Sequence, residues 1–483
     1  MSNNKVRTRY APSPTGFMHV GNLRTALYEY LIAKAQEGTF VLRIEDTDRE
    51  RLVEGAEDII YKTLKTAGIE HDEGPDKEGE YGPYVQSQRK DMYMPYAQQL
   101  IDEGKAYRCF CTKERLDEVS QGVIGGGYDG HCRHLSKEKE EELLKQGVPY
   151  VIRQKMPKEG TTVFEDAVYG TISVENTELQ DQILIKTDGY PTYNFANVID
   201  DHTMAITHVV RGSEYLSSTP KYNLLYQAFG WEIPTYVHLP LIMGKDEEGN
   251  VSKLSKRHGS TTFEDLINDG YLPQAIVNYI ALLGWCPKDT QEVFTLKELE
   301  KVFSVDGISK SPSVFDYDKL SWFNGEYIKE MTLEEFRDLA MPYFKEVFKE
   351  KQVNYNIVAQ ILQQRVSKLS EIPAMIDFLA EQPEYEKELF VNKKSKTTLE
   401  NSPIMLKAVI DELKKLTEWT HDSIHDTLIE LAKTLEVKNG TVMWPARIGV
   451  SGKTVTPGGA IEILEILGQE QSIARLEKGL AKF

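Results

Sequence analysis

The segment PSPTGFMHVGN at residues 12–22 follows a predicted β-strand over residues 5–10 and leads into a predicted helix over residues 22–36. Apolar side chains at helical spacing indicate this helix, namely Leu23, Ala26, Leu27, Tyr30 and Leu31. The start of a helix offers free N–H groups and the positive end of the helix dipole, both of which suit a phosphate. We therefore expect His19 to present a polar side chain to phosphates and Gly21 to leave a bare surface for a nucleotide base.

A second segment, KLSKR at residues 253–257, places two ammonium groups three residues apart, on Lys253 and Lys256, in a predicted loop. Either segment alone is weak evidence, because a lone His-x-Gly is usually structural and a Lys-x-x-Lys-Arg run is usually a solvated surface. In this order and with these flanks, however, the two segments resemble the two ATP-handling signatures of class I aminoacyl-tRNA synthetases.

Four further motifs resemble those of the glutamyl-tRNA synthetase family: RYAPSPTG at 9–16, RIEDTD at 43–48, DGYPTY at 188–193 and VIDDH at 198–202. The resemblance runs from residue 5 to beyond residue 457 and so covers nearly the whole chain. It implies an ATP-dependent ligase that forms glutamyl-AMP and then glutamyl-tRNA. The family characteristically requires bound tRNA before it activates glutamate, and we expect the same here.

The composition agrees with a globular protein of several domains. The chain has 483 residues, of which 40% are hydrophobic and 27% are charged, and this length favours three to five domains. No apolar run approaches the roughly 20 residues that span a bilayer, and the first residues lack the apolar core of a secretory signal, so we expect a cytoplasmic protein without a membrane partner. The net charge of −18 neither supports nor excludes RNA, because a local basic surface can still bind phosphates.

Short β-like runs that alternate with helical stretches predict a parallel α/β sheet. The family resemblance extends this to an α/β Rossmann-like class I synthetase catalytic domain with an α+β acceptor-binding insertion, followed by an all-α anticodon-binding region. We assign 1–85 and 193–252 to the catalytic domain and 86–192 to the insertion. Residues 253–327 form the signature loop and a helical stem-contact region, in which 262–285 and 295–303 look helical. Residues 328–483 form the anticodon-binding region, in which an amphipathic pattern predicts helices that include 333–348.

The expected chemistry requires no nucleophilic side chain. The substrate carboxylate attacks the α-phosphate of ATP, so the enzyme must align two substrates and stabilise negative charge on the phosphate oxygens. His19, Lys253 and Lys256 are suitable residues for this task, and we expect Mg²⁺ to share the charge with them. The alternative is an ordinary buried histidine beside a surface basic loop.

Recognition of glutamate requires a cationic fork, because arginine matches a carboxylate with two parallel hydrogen bonds. The resemblance implies that Arg9 and Arg211 face the substrate carboxylates and that four other residues complete the pocket: Ser13, Glu45, Tyr193 and Asn197. Glutamine would leave a buried guanidinium without a counter-charge, which is costly. A structural ion pair is the alternative interpretation for either arginine.

A cysteine cluster lies within the predicted insertion. Cys109, Cys111, Cys132 and His134 supply three thiols and an imidazole, which form a sound tetrahedral zinc set, although the one-residue spacers are tighter than usual. Some glutamyl-tRNA synthetases carry this cluster and others have lost it. We predict one structural Zn²⁺ here, with reduced cysteines present by chance as the alternative.

Near the C-terminus, WPAR at 444–447 and TVTPG at 454–458 resemble the end of the family's anticodon region, where Arg447 would contact tRNA or else cap a helix. The expected partners are ATP, L-glutamate and tRNA(Glu), and the expected state is a monomer. Whether tRNA(Gln) is also charged stays open.

Three other classes of protein are alternatives to this interpretation, and the sequence argues against each of them. A shortened relative that glutamylates a modified base of tRNA(Asp) lacks an anticodon domain, whereas residues 328–483 are present here. A catalytically inactive, RNA-binding relative would not need His19, Gly21, Lys253 and Lys256. A small-molecule nucleotidylyltransferase would have little use for the helical C-terminal region.

Overall fold

The computed structural model describes residues 5–47, 52–122 and 127–483, so Asp48 of the motif at 43–48 lies outside the described residues. The chain divides into two compact units. The first comprises Met1–Leu266 and Ile276–Asp316, and the second comprises Ile267–Ala275 and Tyr317–Phe483. Within the described ranges, every helix is too short or too polar to cross a membrane.

The first half of the chain contains both strands and helices. In chain order these are β1 (Arg7–Tyr10), α1 (Val20–Ala35), β2 (Thr39–Leu42), α2 (Ala56–Ala67), α3 (Lys90–Asp102), β3 (Ala106–Cys109), α4 (Lys113–Gly122), α5 (Lys137–Lys145), β4 (Val151–Gln154), β5 (Thr161–Asp166), β6 (Gly170–Glu175), β7 (Ile183–Ile185), α6 (Tyr193–Thr203), β8 (His208–Gly212), α7 (Thr219–Phe229) and β9 (Thr235–Leu239).

The rest of the chain is mostly helical. Its elements are β10 (Ile242–Lys245), β11 (Val251–Lys253), α8 (Phe263–Asn268), α9 (Pro273–Leu282), α10 (Leu296–Val302), β12 (Ser313–Val314), α11 (Tyr317–Glu330), α12 (Leu333–Phe348), α13 (Tyr355–Gln363), α14 (Ile372–Ala380), α15 (Ser402–Leu413), α16 (His421–Thr434), α17 (Asn439–Ser451) and α18 (Ala460–Leu480).

Parallel strand pairs form the part of the first unit that carries the predicted site. β1 pairs with β2, and a second sheet has the order β6-β5-β9-β8, in which β8 and β9 are parallel and Arg211 lies opposite His238. Thr207, just before β8, donates its backbone N–H to the carbonyl oxygen of Arg7 at 3.0 Å, which joins β1 to β8. The carboxyl ends of β1 and β8, where Arg9 and Arg211 lie, therefore meet at one edge.

The other sheets of the first unit are small. β3, β4 and β7 form an antiparallel sheet, and β10 pairs with β11 and β12. β5 and β6 fall within the predicted insertion of 86–192, yet β5 pairs with β9 through Asp166 and Tyr236. The bounds of the insertion therefore stay a prediction.

The expected helix over residues 262–285 is wrong in one respect, because it is two helices, α8 and α9. The break falls at Gly270, whose φ is +89°, a conformation that glycine adopts readily and other residues rarely adopt. A side chain at this position would also lie 2.5 Å from the backbone nitrogen of Ser370. The backbone of Gly270 therefore interrupts the helix, and the contact with Ser370 leaves no room for a side chain at this position.

Helices α11 to α18 make up most of the second unit, and their apolar faces share one core that includes Phe336, Phe344, Leu428 and Leu464. The predicted helix over 333–348 coincides with α12. A capping box explains its start, because Thr332 accepts a hydrogen bond from the backbone of Glu335. The helical character predicted for residues 328–483 is thus observed.

Candidate active site

One cavity of about 760 Å³ in the first unit brings the two predicted signatures together with the predicted glutamate pocket. Its lining includes all of the predicted ATP and glutamate residues except Asn197: Arg9, Ser13, His19, Gly21, Glu45, Tyr193, Arg211, Lys253 and Lys256.

Short backbone pairing explains how the two distant signatures meet. Val20 donates its N–H to the carbonyl oxygen of Thr261 at 2.9 Å, and Phe263 donates to that of Met18 at 3.0 Å. Because residues 261–263 follow closely after the Lys253–Lys256 loop, this pairing holds the loop beside the start of α1.

His19 is the N-cap residue of α1, and its Nδ1 accepts a hydrogen bond from the backbone N–H of Gly21 at 3.0 Å. Nδ1 must therefore carry a lone pair, so the neutral ring bears its proton on Nε2. Burial, and then the nearby Lys253 ammonium, lower the pKa of His19. The site thus holds a neutral imidazole that can donate one hydrogen bond from Nε2.

The two lysines lie at either end of a pinned loop. Lys253 ends β11, which pairs antiparallel with β10, and Lys256 begins a short turn of 3₁₀ helix. His258 holds this loop: its Nδ1 accepts from the N–H of Ser255 at 3.1 Å, and its Nε2 lies 3.1 Å from the hydroxyl of Ser252. Sequence reasoning missed His258, which immediately follows the KLSKR segment.

Arg9 belongs to a buried network of five charged side chains. Arg9 donates from Nε to Asp201 at 2.9 Å and from Nη1 to Glu29 at 3.0 Å, while Arg43 donates to Asp201 at 2.7 Å and to Glu45 at 2.9 Å. Burial alone would lower the pKa of Arg9, but the carboxylates of Asp201 and Glu29 raise it by more, so the pKa lies above its ordinary value. Arg9 is therefore already neutralised by the protein.

Glu29 and Asp201 respond differently to the same burial. Burial raises the pKa of Glu29 well above its ordinary value, and one of its oxygens, Oε2, is buried without a hydrogen-bond partner. Burial opposes ionisation of Asp201 as well, but Arg9 and Arg43 outweigh it and lower the pKa of that carboxyl. Asp201 is thus the firmly ionised centre of the network.

Arg211 has a contrasting environment. It is only 6% exposed, yet no carboxylate among the described residues forms an ion pair with it. Its Nε donates to Nε2 of His238 at 3.3 Å and its Nη2 to the hydroxyl of Thr219 at 3.2 Å. Three tyrosine rings surround the guanidinium, with centroids 4.6–5.3 Å from Cζ: Tyr215, Tyr222 and Tyr236.

The remaining pocket residues lie close by. Burial raises the pKa of Glu45, whose Oε1 accepts from Arg43, and Ser13 lies in the loop after β1. Tyr193 and Asn197 are one turn apart on α6 and therefore share a face of the helix. Asn197 is buried but does not line the cavity, and its Nδ2 forms no hydrogen bond with any residue that the structure describes.

Three of the four predicted zinc ligands come together. The sulfur atoms of Cys109, Cys111 and Cys132 lie within 4.8 Å of one another, and no described imidazole or carboxylate completes that group, so His134 is not placed in it. The Tyr128 hydroxyl, which sequence reasoning missed, lies 3.4 Å from Sγ of Cys109 and accepts from the N–H of Cys132 at 2.8 Å. A hydrogen bond from Cys132 lowers the pKa of the Cys109 thiol to about 4.

Arg447 lies in the second unit, beside a separate cavity of about 420 Å³. Its guanidinium lies 4.6 Å from the ring centroid of Trp444, and Nη2 donates to the carbonyl oxygen of Thr454 at 2.8 Å. Burial lowers the pKa of Arg447, and its Nε is buried without a hydrogen-bond partner. Arg447 therefore joins the two predicted C-terminal motifs.

Two of the residues that sequence reasoning missed stand in motifs that resemble those of the family. Arg43 stands in RIEDTD and Asp201 in VIDDH, so a charged residue of a recognised motif with no assigned ligand was the available signal. Asp166 and His238, which lie behind Arg211, carried no such signal, because nothing in the sequence shows that β5 and β9 are neighbours.

Comparison with known proteins defines the class. The sequence model described as tRNA synthetases class I (E and Q), catalytic domain, matches residues 5–322, and that of an anticodon binding domain matches residues 335–480. The fold is therefore that of a class I tRNA synthetase.

Full-length relatives narrow the class further. Glutamate–tRNA ligases of Clostridium novyi (strain NT) and Clostridium tetani (strain Massachusetts / E88) are each 58% identical to this chain, with 100% of the chain and 99% of the relative covered. A crystal structure of a glutamate tRNA ligase from Elizabethkingia meningosepticum in complex with its amino acid has a TM-score of 0.89 at 33% identity, with 99% of each chain covered.

The chain thus belongs to the glutamate–tRNA ligase family. The family, the fold class and the enzyme class predicted from the sequence are confirmed.

Proposed function

We propose that this protein ligates L-glutamate to tRNA(Glu) through glutamyl-AMP, releasing AMP and pyrophosphate. The observation that carries this proposal is the single cavity in which His19, Lys253 and Lys256 meet the unneutralised guanidinium of Arg211. The first three residues suit ATP and the last suits a substrate carboxylate. Family membership supports both assignments.

In the proposed first step, the α-carboxylate of glutamate attacks the α-phosphorus of ATP, and pyrophosphate leaves. His19 donates a hydrogen bond from Nε2 to a phosphate oxygen, since its Nδ1 is occupied by Gly21. Lys253 and Lys256 place positive charge on the phosphates, where negative charge grows in the transition state. ATP enters with Mg²⁺, which shares that charge.

In the proposed pocket, Arg211 binds a carboxylate of glutamate, because it is a buried cation at the cavity that forms no ion pair with any described carboxylate. Arg9, Ser13 and Glu45 line the same cavity and hold the other polar groups of the amino acid. Asn197 lies one helical turn from Tyr193 but does not line this cavity, so its place in the glutamate pocket stays a prediction.

Aminoacylation assays test this proposal directly. Purified protein is incubated with ATP and radiolabelled glutamate or glutamine, on tRNA(Glu) and on tRNA(Gln) separately. We expect glutamate on tRNA(Glu), no glutamine on either, and ATP–pyrophosphate exchange only when tRNA is added. Charging of tRNA(Gln) with glutamate would widen the tRNA specificity, whereas no charging of tRNA(Glu) would refute the proposal.

We also propose that Cys109, Cys111 and Cys132 hold one structural Zn²⁺. Three thiols whose sulfur atoms lie within 4.8 Å of one another are a donor set that fits this ion. Bound zinc would cross-link β3 to the segment around Cys132. Either His134 or Tyr128 would supply the fourth ligand.

Elemental analysis tests the zinc site. Protein prepared without chelator should contain about one zinc per chain, the stoichiometry of a single tetrahedral site. Cys132→Ser should lose the metal, while Cys286→Ser, at an exposed cysteine elsewhere in the same unit, should keep it. Comparing His134→Ala with Tyr128→Phe identifies the fourth ligand, and zinc-free wild-type protein would refute the site.

For the tRNA, we propose that the insertion at 86–192 binds the acceptor end, that 253–327 contact the stem, and that 328–483 bind the anticodon through residues that include Arg447. The partly buried guanidinium beside Trp444 supports the proposed anticodon contact, because unpaired RNA bases stack on aromatic rings and on arginine side chains.

We further propose, from family membership, that the protein acts as a monomer in the cytoplasm, where its tRNA substrate is located. Light scattering tests the oligomeric state.

A further inference from the structure

Arg211 is oriented by a partner that carries no charge. In the parallel pairing of β8 and β9, Arg211 lies directly opposite His238, so the two side chains leave the same face of the sheet. His238 is fully buried, and its Nε2 lies 3.3 Å from Nε of Arg211. Because a guanidinium can only donate hydrogen bonds, Nε2 of His238 must accept.

The other side of the imidazole ring fixes this arrangement. Nδ1 of His238 lies 2.6 Å from Oδ2 of Asp166, and both side chains are completely buried. With Nε2 acting as acceptor, Nδ1 carries the proton and donates it to the carboxylate. The chain of hydrogen bonds therefore runs from Arg211 to His238 to Asp166, and it permits a single tautomer of a neutral ring.

This arrangement differs from an ordinary ion pair in its electrostatic result. Had Asp166 contacted Arg211 directly, the pocket would hold a neutral pair with little attraction for an incoming carboxylate. The imidazole between them keeps the acidic group one side chain away while still fixing the direction of Nε. The guanidinium is thus held in place and remains available as a cation.

We infer that His238 is a positioning residue for amino-acid selection: held by Asp166 in the Nδ1–H tautomer, it orients Arg211 toward the substrate carboxylate without neutralising it. This inference rests on the proposed glutamate-binding role of Arg211. It assigns to His238 and Asp166 an effect on the affinity for glutamate and on the preference for glutamate over glutamine, with no effect on ATP.

A purely structural role is the alternative, and Asp166 makes it a serious one. Oδ1 of Asp166 accepts backbone hydrogen bonds from Val168 and Tyr169 at 3.0 and 2.8 Å, and Oδ2 accepts one from the N–H of His238 at 3.2 Å. Asp166 thus also fixes the turn between β5 and β6 and joins it to β9. The decisive variants must therefore separate the two sides of the His238 ring.

Two substitutions at His238 achieve this separation. His238→Asn keeps a donor near the position of Nδ1, and hence the bond to Asp166, but removes the acceptor for Arg211. His238→Gln places an amide oxygen near the position of Nε2, and hence keeps the acceptor for Arg211, but loses the bond to Asp166. If His238 positions Arg211, His238→Asn should impair glutamate binding more than His238→Gln does. If its role is structural, His238→Gln should be the more damaging substitution.

The measurement is steady-state aminoacylation with glutamate, glutamine and ATP varied in turn. For His238→Asn we expect a KM for glutamate raised about tenfold or more, an unchanged KM for ATP and a narrower preference for glutamate, the effect of losing one oriented hydrogen bond to a charged group. For His238→Gln we expect a KM for glutamate within about threefold of wild type, because the acceptor is retained. The reverse order, or unchanged KM values for glutamate in both, would overturn the inference.

A measurement on the wild-type protein covers the case in which a variant fails to fold. Nitrogen-15 NMR of histidine-labelled protein should show one imidazole locked as the Nδ1–H tautomer with a slowly exchanging proton, and this resonance should disappear in whichever His238 variant folds. If neither folds, the locked resonance is identified by its through-space contacts to Tyr236, whose ring centroid is 5.9 Å away. An Nε2–H tautomer would overturn the inference. Failure of the wild type to charge glutamate at all would instead refute the proposed function.

Discussion

Replacing Asp201 with asparagine should both loosen the catalytic unit and weaken glutamate binding. The Asp201 carboxylate accepts from Arg9 at 2.9 Å and from Arg43 at 2.7 Å, and both guanidinium groups are buried. Asparagine keeps the shape but removes the charge, so two buried cations lose their shared partner. Breaking a buried pair in this way typically costs about 3–5 kcal/mol of the free energy of unfolding.

The size of the first unit allows this loss of free energy to be expressed as a shift of its melting temperature. A unit of about 300 residues unfolds with an entropy near 0.6 kcal/mol/K, at about 2.1 cal/mol/K per residue, so the loss lowers the midpoint by about 5–8 °C. The pKa of Asp201 is lowered in the folded protein, so its contribution is present above the unfolded pKa and disappears only as pH falls through the folded pKa. The difference between the two proteins should therefore be constant from about pH 5 upward, above the ordinary pKa of aspartate.

Differential scanning calorimetry at pH 7 measures this shift. Glu142→Gln is the matched control, because Glu142 pairs with Lys139 on the surface, where both side chains are about half exposed and such pairs contribute little. The control should melt within about 1–2 °C of wild type. If Asp201→Asn also melts within this range of the wild type and keeps the wild-type KM for glutamate, the network does not hold Arg9 in place.

Other predictions concern the cavity and the tRNA. Lys256→Ala should lower kcat by about 10²–10³, the effect of losing one preorganised donor, and should leave tRNA binding unchanged. Arg257→Ala, on the same loop, should leave kcat close to wild type, and single-turnover assays compare the two variants. Because burial lowers the pKa of His19, kcat/KM for ATP should be flat from pH 7 upward and should fall only below its ordinary pKa of about 6.5; a fall beginning above pH 7 would contradict a neutral ring. Gly21→Ala should raise the KM for ATP, since the added methyl would lie 3.3 Å from Nδ1 of His19, and pyrophosphate exchange measures this. Arg447→Ala should raise the KM for tRNA but not for ATP, and equal effects on both would contradict a tRNA contact.

The sequence was sufficient to predict elements whose signal is local. The helix at 333–348 has a capping box and an apolar face in the sequence itself, and it was predicted with its observed bounds. The break at Gly270 was missed although its signal is local, because Gly270 and Pro273, the first residue of α9, are both residues that interrupt a helix.

The candidate site could also be predicted only in part from the sequence. His19, Lys253 and Arg9 could be named because each stands in a motif that resembles those of a known family. The partners that set their chemistry could not, since a charged side chain such as Glu29 on a largely buried helix carries no mark of the residue it contacts. The lone pair on Nδ1 of His19 likewise follows from one hydrogen bond rather than from any residue type.

Arg9 and Arg211, which both line the cavity, differ in what surrounds them, and this difference bears on selectivity. Arg9 already has Asp201 and Glu29 as partners, so an incoming carboxylate adds little neutralisation there. Arg211 has a neutral imidazole, a hydroxyl and three aromatic rings, so it gains its counter-charge only when an acidic ligand binds. A neutral amide of the same shape gains no such charge interaction, and it must also displace whatever water or anion had accompanied the cation. The preference for glutamate over glutamine should therefore depend on Arg211 and on the residues that orient it, while Arg9 chiefly maintains the geometry of the pocket.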